Sequence, residues 1–492
     1  MEGVLLDGEI FDEIALRANV GREVSKITKE AMEGKIDFEA ALKKRLDLIK
    51  GFDGFEDAAR NMPLMPYALE LIAMLKDKGH YVAMITGSFD AAAKIIAEKL
   101  GIDIWAANNL GMENGCITGN FDLAFRDKAD VLKDLKDNLM PDFTVAIGDG
   151  ANDLNMLKEA DVGIAFRAKQ ILKKENFLQC HDLRQIAQLF CHKGINIARD
   201  ASVHLICHRL FGAIGNVQVM DLSKEIPRYA NVIVIRTRTR VNEESLLGMP
   251  NLEIIATATT GIDHIDAELA ELRNVKIVNA KGDNADAVAE YVFRTLLHAT
   301  DDVVYTSELL KKTKDFANIK AANRRFELKG KTLGIIGLGN IGSRVKKIAE
   351  AFGMIVKAYD PYKEEARNTL IQALQCDFIT LHPELTEETK GMIGKEEIPL
   401  IKEGAIVINA ARAELIDGNT FINALKEGKI KKAIIDVFNN EPKASELYDL
   451  DNVICTPHIA GNSEEAKIKA AKTVFRKVLE EFAKKRQVEV IM

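Results

Sequence analysis

Short apolar runs closed by small or polar residues recur along the chain. Two lie in the first part, YVAMITGS (81–88) and FTVAIGDG (143–150), both rich in β-branched residues. Buried parallel strands have this form, with functional groups at their C-terminal ends. Residues 9–60 follow another period. The stretch REVSKITKEAMEGKIDFEAALKKRLDLIKGF is charged and helical, too long for a simple crossover, and predicts a helical cap inserted after the first turn. Around 190–195, LFCHKGINIARD interrupts the pattern, and the main boundary is placed there. Beyond it ANVIVIRTRT, LEIIATAT and VKIVNA predict strands, and a long helix opens near residue 284. KTLGIIGLGNIG, IVKAYD, CDFITLH, AIVINAA, KKAIIDVF and NVICTPH follow as further strands. Strands alternating with helices indicate doubly wound α/β domains.

Composition narrows the class. A chain of 492 residues suggests three or four domains. A net charge of −7 without a Lys/Arg-dense arm argues against nucleic-acid binding. No apolar run approaches the roughly 18 residues of a membrane span, and residues 1–20 lack a signal-peptide pattern. The cysteines are scattered without a C-x-x-C pair, so Cys180-His181 and Cys191-His192 read as incidental thiols rather than a metal cluster. A reducing cytoplasm fits best.

The second half carries G-x-G-x-x-G as Gly337, Gly339 and Gly342, after an apolar strand and opening an amphipathic helix. Asp360 in VKAYDPY ends the next strand, close to the expected spacing of about 20 residues. Glycines there let the backbone, with Asn340 and Ile341 at the helix start, approach a pyrophosphate at the positive helix N-terminus. Asp360 would accept hydrogen bonds from a ribose diol and repel a 2′-phosphate, so NAD is expected over NADP.

Downstream, INAARAELIDG, IIDVFNNEP and TPHIAGNSEEA resemble the D-2-hydroxyacid dehydrogenase family, a resemblance running from about 195 to the C-terminus. It implies Arg412 for the substrate carboxylate and carbonyl, His458 for proton transfer, and Glu441 as partner of that histidine. The chemistry agrees: oxidising a secondary alcohol needs a base near neutral pH, and a guanidinium can hold a 2-oxo acid bidentately. ATATTGIDHID resembles the family loop whose amides hold the substrate carboxylate, here Thr260 and Gly261. VIRTRTRVNEE sets Arg236, Arg238 and Arg240 at alternate positions, on one face if extended. That face is either a solvated edge or, with Arg236, a contact for a substrate phosphate. The wording lies closest to the 3-phosphoglycerate and erythronate-4-phosphate dehydrogenase branches. Asp360 and Asp377 stand closer together than the family leads one to expect, implying a trimmed βα unit. Ala413 stands where a glycine usually follows the arginine.

In the first half, VAIGDGANDLNML offers Asp149, Asn152 and Asp153, AMITGSFD offers Thr86 and Gly87, and FRDKADVL offers Lys128. This set resembles haloacid dehalogenase (HAD) type phosphatases, and phosphoserine phosphatase in particular, across residues 1–190. The resemblance implies Mg²⁺ held by Asp149 and Glu2, with Asp153 in support. Thr86 and Lys128 would hold the transferring phosphoryl group, with Gly87 and Asn152 beside it. Glu9 and Arg45 fall where the family recognises the amino and carboxylate groups of phosphoserine. In the family's motif D-x-D/E-G/S-T/V, Glu2 takes the acid/base position and Gly3-Val4 the remainder. The nucleophilic aspartate would precede Met1, and the first strand is missing. Either activity has been lost or the N-terminus is incomplete. The family places that strand between YVAMITG and FTVAIGDG.

The expected fold is therefore α/β: a HAD-like Rossmannoid domain (1–190, helical cap about 9–70), then the two-lobed D-2-hydroxyacid dehydrogenase fold. Its substrate lobe would span 195–295 plus about 460–492, and its Rossmann NAD-binding domain 296–459. The family implies a homodimer, and the pairing of the two resemblances points to small phosphorylated substrates in serine biosynthesis, foremost 3-phosphoglycerate oxidised with NAD.

Overall fold

The computed structural model describes residues 1–32, 36–190, 194–300, 303–322, 325–439, 445–485 and 489–490. The apolar runs Val232–Ile235, Ile254–Thr257, Phe378–Leu381 and Ala405–Asn409 are buried at every position. Burial on both faces suits parallel strands covered by helices on either side.

The N-terminal part holds two sheets. β1 (Ala83–Phe89) pairs in parallel with β2 (Ile104–Glu113), which returns as antiparallel β3 (Cys116–Asp122). Asn114 and Gly115 join β2 to β3, both at positive φ, which matches the twist of a tight hairpin. β4 (Val145–Gly148), β5 (Val162–Phe166) and β6 (Leu178–Cys180) form the second sheet. Among the described residues β1 and β4 each stand at a sheet edge. The segment expected as a cap folds as helices Ile10–Arg17, Gly21–Met32, Phe38–Leu48 and Phe55–Asn61. Its Ile10, Ile14, Leu46 and Phe55 share a buried cluster with Met84 and Phe89 of β1.

β7 (Asn196–Asp200), β8 (Asn216–Met220), β9 (Val232–Ile235), β10 (Ile254–Thr257) and β11 (Lys276–Asn279) make a parallel sheet of order β11-β10-β9-β7-β8. A second parallel sheet follows, with β12 (Thr332–Ile336), β13 (Ile355–Tyr359), β14 (Phe378–Leu381), β15 (Ala405–Asn409), β16 (Ile430–Ile435) and β17 (Val453–Cys455). Its order, β13-β12-β14-β15-β16-β17, reverses beside β12. Ligands of open α/β sheets bind at such a reversal. One short helix, Leu370–Leu374, lies between Asp360 and Asp377, and β13 is the sheet edge.

The chain divides into two compact units. One comprises Met1–Ala258, Ile262–Asn279 and Ala471–Met492, the other Thr259–Gly261 and Ala280–Ala470. The helix Glu464–Lys485 begins in the second and continues in the first. After it, β18 (Glu489–Val490) pairs antiparallel with β6. No described helix is long and apolar enough to cross a membrane.

Gly334 in β12 shows how tightly the helix Leu370–Leu374 lies on its strand: a Cβ there would stand 2.0 Å from the Ala373 carbonyl oxygen. Gly334→Val should destabilise this sheet by about 1–3 kcal/mol, read from thermal unfolding; an unchanged transition would contradict the packing.

Candidate active sites

The glycine turn is built from three different constraints. Gly337 has φ +88°, and a Cβ on it would meet the His382–Pro383 peptide at 2.8 Å. Gly342 lets the helix Asn340–Ala351 close on the turn, since its Cβ would stand 2.1 Å from the Gly337 oxygen. Gly339 faces open space at the helix N-cap, with no side-chain cap over the first amides. That opening fits a pyrophosphate approaching backbone N–H groups. Asp360 fixes the turn from below: one carboxylate oxygen accepts the Leu338 N–H (2.8 Å), the other the Tyr362 N–H (3.0 Å). Asn340 packs against Gly282, whose Cβ would stand 2.6 Å from its amide nitrogen, and Ile341 is half-buried. His382, at the end of β14, bonds Thr380 Oγ1 through Nε2 (3.0 Å), and burial pushes its pKa down to about 3. It is a neutral wall of the turn.

His458 sits in the left-handed region (φ 55°) on the loop after β17. That loop hangs on Asp436, a fully buried residue following β16. The Asp436 carboxylate accepts the N–H groups of Ile459 and Ala460 (both 2.8 Å) and the Thr456 hydroxyl, and its carbonyl accepts the His458 N–H (2.9 Å). Sequence reasoning gave Asp436 no role. The signal was available, because it follows an apolar strand as Asp149 and Asp360 do. Arg412 follows β15 and is half-buried; buried Asn409 donates to its carbonyl (2.9 Å), and the guanidinium donates to the Ala411 carbonyl (2.8 Å). Ala413 opens a 3-10 turn and is not among the residues at positive φ, so glycine is not required there. Glu441 lies outside the described residues, as do Cys191 and His192.

The Thr260 hydroxyl donates to Asn284 Oδ1 (2.9 Å), and the Thr259 hydroxyl to the Gly261 carbonyl (2.8 Å). The same Asn284 packs against Gly461, three residues after His458 in sequence. Asn284 was not singled out from sequence. The alternating arginines do not share a strand face. β9 ends at Ile235, and a turn closed by Thr239 N–H to the Arg236 carbonyl (3.0 Å) breaks the alternation. Arg236 is half-buried, and desolvation lowers its pKa. Arg238 instead pairs with Asp221 (2.7 Å), and Arg240 is exposed.

In the N-terminal module, residues 2–3 meet the ends of both edge strands. Gly3 (φ +73°) lies so close to Asp149 after β4 that a Cβ would stand 2.7 Å from its carboxylate. Glu2 accepts the Ile10 N–H (3.0 Å) and the Ser88 hydroxyl (3.4 Å) near the end of β1. Burial, then the charge of Glu9, pushes the Glu2 carboxyl up to about 7. Buried Thr86 accepts the Ser88 N–H (3.1 Å), and the Gly87 carbonyl accepts from Asn108 (2.9 Å). Lys128, first residue of the helix Lys128–Leu139, forms a buried pair with Asp153 (2.6 Å). Asp153 also accepts the N–H groups of Asp149 (2.9 Å) and Gly150 (3.1 Å). Burial alone would raise Asp153, but Lys128 and these amides hold it below the usual carboxylate value.

Asn152 is exposed beside Gly150, and Lys169 pairs with Asp149 (3.2 Å). Arg45 lies over the Phe11 ring at 5.0 Å and feels the charges of Asp12, Glu9 and Glu2. No three metal-binding side chains converge among the described residues. Asp149 and Glu2 alone do not complete a magnesium site.

Residues 292–460 match the D-isomer specific 2-hydroxyacid dehydrogenase NAD binding domain, and residues 1–161 match haloacid dehalogenase-like hydrolases. The hydroxypyruvate reductase of Thermotoga maritima is 38% identical over 273 residues, 53% of this chain and 87% of that protein. The D-3-phosphoglycerate dehydrogenase of Methanocaldococcus jannaschii is 42% identical over 257 residues, 50% of this chain and 48% of that protein. This chain thus spans about half the length of that relative. Among solved structures, D-lactate dehydrogenase from Aquifex aeolicus complexed with NAD and lactic acid matches with TM-score 0.53 at 29% identity, over 59% of this chain and 96% of that one. The NAD⁺-bound 3-phosphoglycerate dehydrogenase of Entamoeba histolytica matches with TM-score 0.50 at 26% identity, over 61% and 99%. The chain belongs to the D-isomer-specific 2-hydroxyacid dehydrogenases. It carries a haloacid dehalogenase-like hydrolase domain ahead of the dehydrogenase part.

Two substitutions test these constructions. Asp436→Asn turns an N–H₂ toward donors and should cost about 1–3 kcal/mol for each amide left unmet, seen as a lowered unfolding temperature of the dehydrogenase part. Lys128→Met leaves a buried carboxylate unpaired and should cost about 3–5 kcal/mol. Because the Asp153 pKa is depressed on folding, its stabilisation is full above its unfolded value of about 4 and is lost as pH falls through the lower folded value. Asp153→Asn should therefore flatten the acid limb of urea midpoints measured below about pH 4; an unchanged limb would show that the pair does not form.

Proposed function

We propose that the dehydrogenase part oxidises D-3-phosphoglycerate to 3-phosphohydroxypyruvate with NAD, in serine biosynthesis. The observation carrying this reading is that the open glycine turn, Asp360, Arg412 and the His458 loop all follow strands of one parallel sheet at their C-terminal ends. NAD, held by the glycine turn (337–342) and Asp360, would supply the hydride acceptor for the substrate C2. His458 removes the C2 hydroxyl proton, Arg412 orients the carboxylate and the forming carbonyl, and the amides of Thr260 and Gly261 hold the carboxylate. Arg236 supplies positive charge for the phosphate. Asp360 selects a free ribose diol, favouring NAD. Glu441 would complete the pair with His458.

The hydrolase-like module is proposed to bind phosphoserine. Arg45 and Glu9 would meet the carboxylate and amino groups, and Thr86, Lys128, Gly87 and Asn152 would surround the phosphate. Asp149 with Glu2 would be the start of a Mg²⁺ site. Among the described residues Asp149 and Glu2 alone do not make up a full magnesium donor set. The two modules would then bracket the phosphorylated route to serine, which supports 3-phosphoglycerate. The wording of TATTGIDHID and HIAGNSEE points to the alternative substrate, 4-phosphoerythronate. A cytoplasmic homodimer completes the reading.

NAD reduction with 3-phosphoglycerate, 4-phosphoerythronate and D-lactate, followed at 340 nm, should show the highest kcat/KM for the first. A preference for lactate would overturn the phosphate reading. His458→Gln should lower kcat by about 10²–10⁴-fold; full activity would sink the mechanism. Calorimetry should show phosphoserine binding, and Arg45→Ala should weaken it; equal binding by the variant would overturn the reading.

A further inference from the structure

Strand β4 is four residues long and has one strand neighbour, β5, among the described residues. A short strand with a single neighbour is weakly held by its ladder, yet β4 carries Asp149 at its C-terminal end. Its other end is gripped by the last helix of the dehydrogenase part. Phe143, two residues before β4, packs edge-to-face on Phe475, with centroids 4.9 Å apart and planes at 84°. Phe475 packs in turn on Phe211 at 5.3 Å and 71°. Phe211 and Phe475 are buried. Asp161, just before β5, accepts the Thr144 N–H (2.8 Å) and hydroxyl (2.9 Å), and lies 3.4 Å from the Lys472 ammonium. Asp142 pairs with Arg209 of the helix Ile206–Gly212 at 2.7 Å.

Farther along the helix Glu464–Lys485, Arg476 and Glu480 line a cavity of about 350 Å³ with Leu157, Phe177 and Leu178. Beyond the helix, β18 adds to the outer edge at β6. All of these residues belong to one compact unit. An aromatic centre rimmed by charge pairs, with strand addition beside it, is the anatomy of an interface between stable partners.

We propose that residues 471–485, together with 489–490, are a docking element whose partner is the chain's own hydrolase-like module. The tail braces the base of β4 and β5 and extends the outer edge at β6. The stability of the strand that carries Asp149 is therefore set by the dehydrogenase tail. Neither catalytic activity is needed for this dependence.

The full chain contains one tryptophan, Trp105, which lies in β2 of the hydrolase-like module and reports its unfolding. Phe143→Ala and Phe475→Ala should each shift the Trp105 unfolding equilibrium in urea by about tenfold or more. The double variant should lose less than the two together, as contacting residues do. Lys472→Glu, a milder change that covers the case of Phe475→Ala failing to fold, should speed amide exchange across residues 144–149 severalfold. NAD binding by calorimetry should survive Phe143→Ala. An unshifted Trp105 transition in Phe475→Ala, additive effects in the double variant, or wild-type exchange in Lys472→Glu would overturn the proposal.

Discussion

Amides in loops beyond the ends of parallel strands have no ladder to join, and in this protein aspartates take them up. Asp153 accepts the N–H groups of Asp149 and Gly150, and Asp360 those of Leu338 and Tyr362. Asp436 accepts those of Ile459 and Ala460, and Asp200 those of Ser202 and Leu222. Three of the four are almost wholly buried. An unmet buried amide costs about 1–3 kcal/mol, so each loop has one strongly preferred shape. The groups with proposed chemistry hang from these shapes: Asp149 on the first loop, the glycine turn on the second, His458 on the third.

Charge is arranged as carefully as geometry. Lys128 keeps Asp153 ionised despite its burial, while burial and Glu9 push Glu2 up to about 7. Two carboxyls in one module are thus held in different protonation ranges by their surroundings, the arrangement that acid–base chemistry needs. In the dehydrogenase part His382 is kept neutral by burial, and exposed His458 stands on a loop shaped by Asp436. The two histidines differ in solvation.

The hydrolase-like module is assembled from pieces distant in sequence. Among the described residues β1 and β4 are both edges, and residues 2–3 reach the C-terminal ends of each through Ser88 and Asp149. At the base of β4, support comes from Phe475 and Lys472, more than 300 residues later, as the 311-residue separation of Asp161 and Lys472 records. β18 on β6 brings the last described residues into the same sheet as Asp149's strand.

The parallel strands, the glycine turn and the cap helices could be read from the chain because periodicity and small-residue spacing report on contacts within a few positions. The hairpin at Asn114-Gly115 was equally local and was passed over, its turn signal standing between strands of weak alternation. The three arginines misled for a related reason: alternation has meaning only while the strand continues, and a backbone turn ends it at Arg236. Which aspartate fixes which loop was decided in three dimensions. Asp436 reaches residues more than 20 positions away, and the amides it accepts carry no sequence label. The bracing of β4 likewise depends on packing that no local pattern encodes. Residue order set the elements and their chemistry, while burial and long-range hydrogen bonding selected which of them meet.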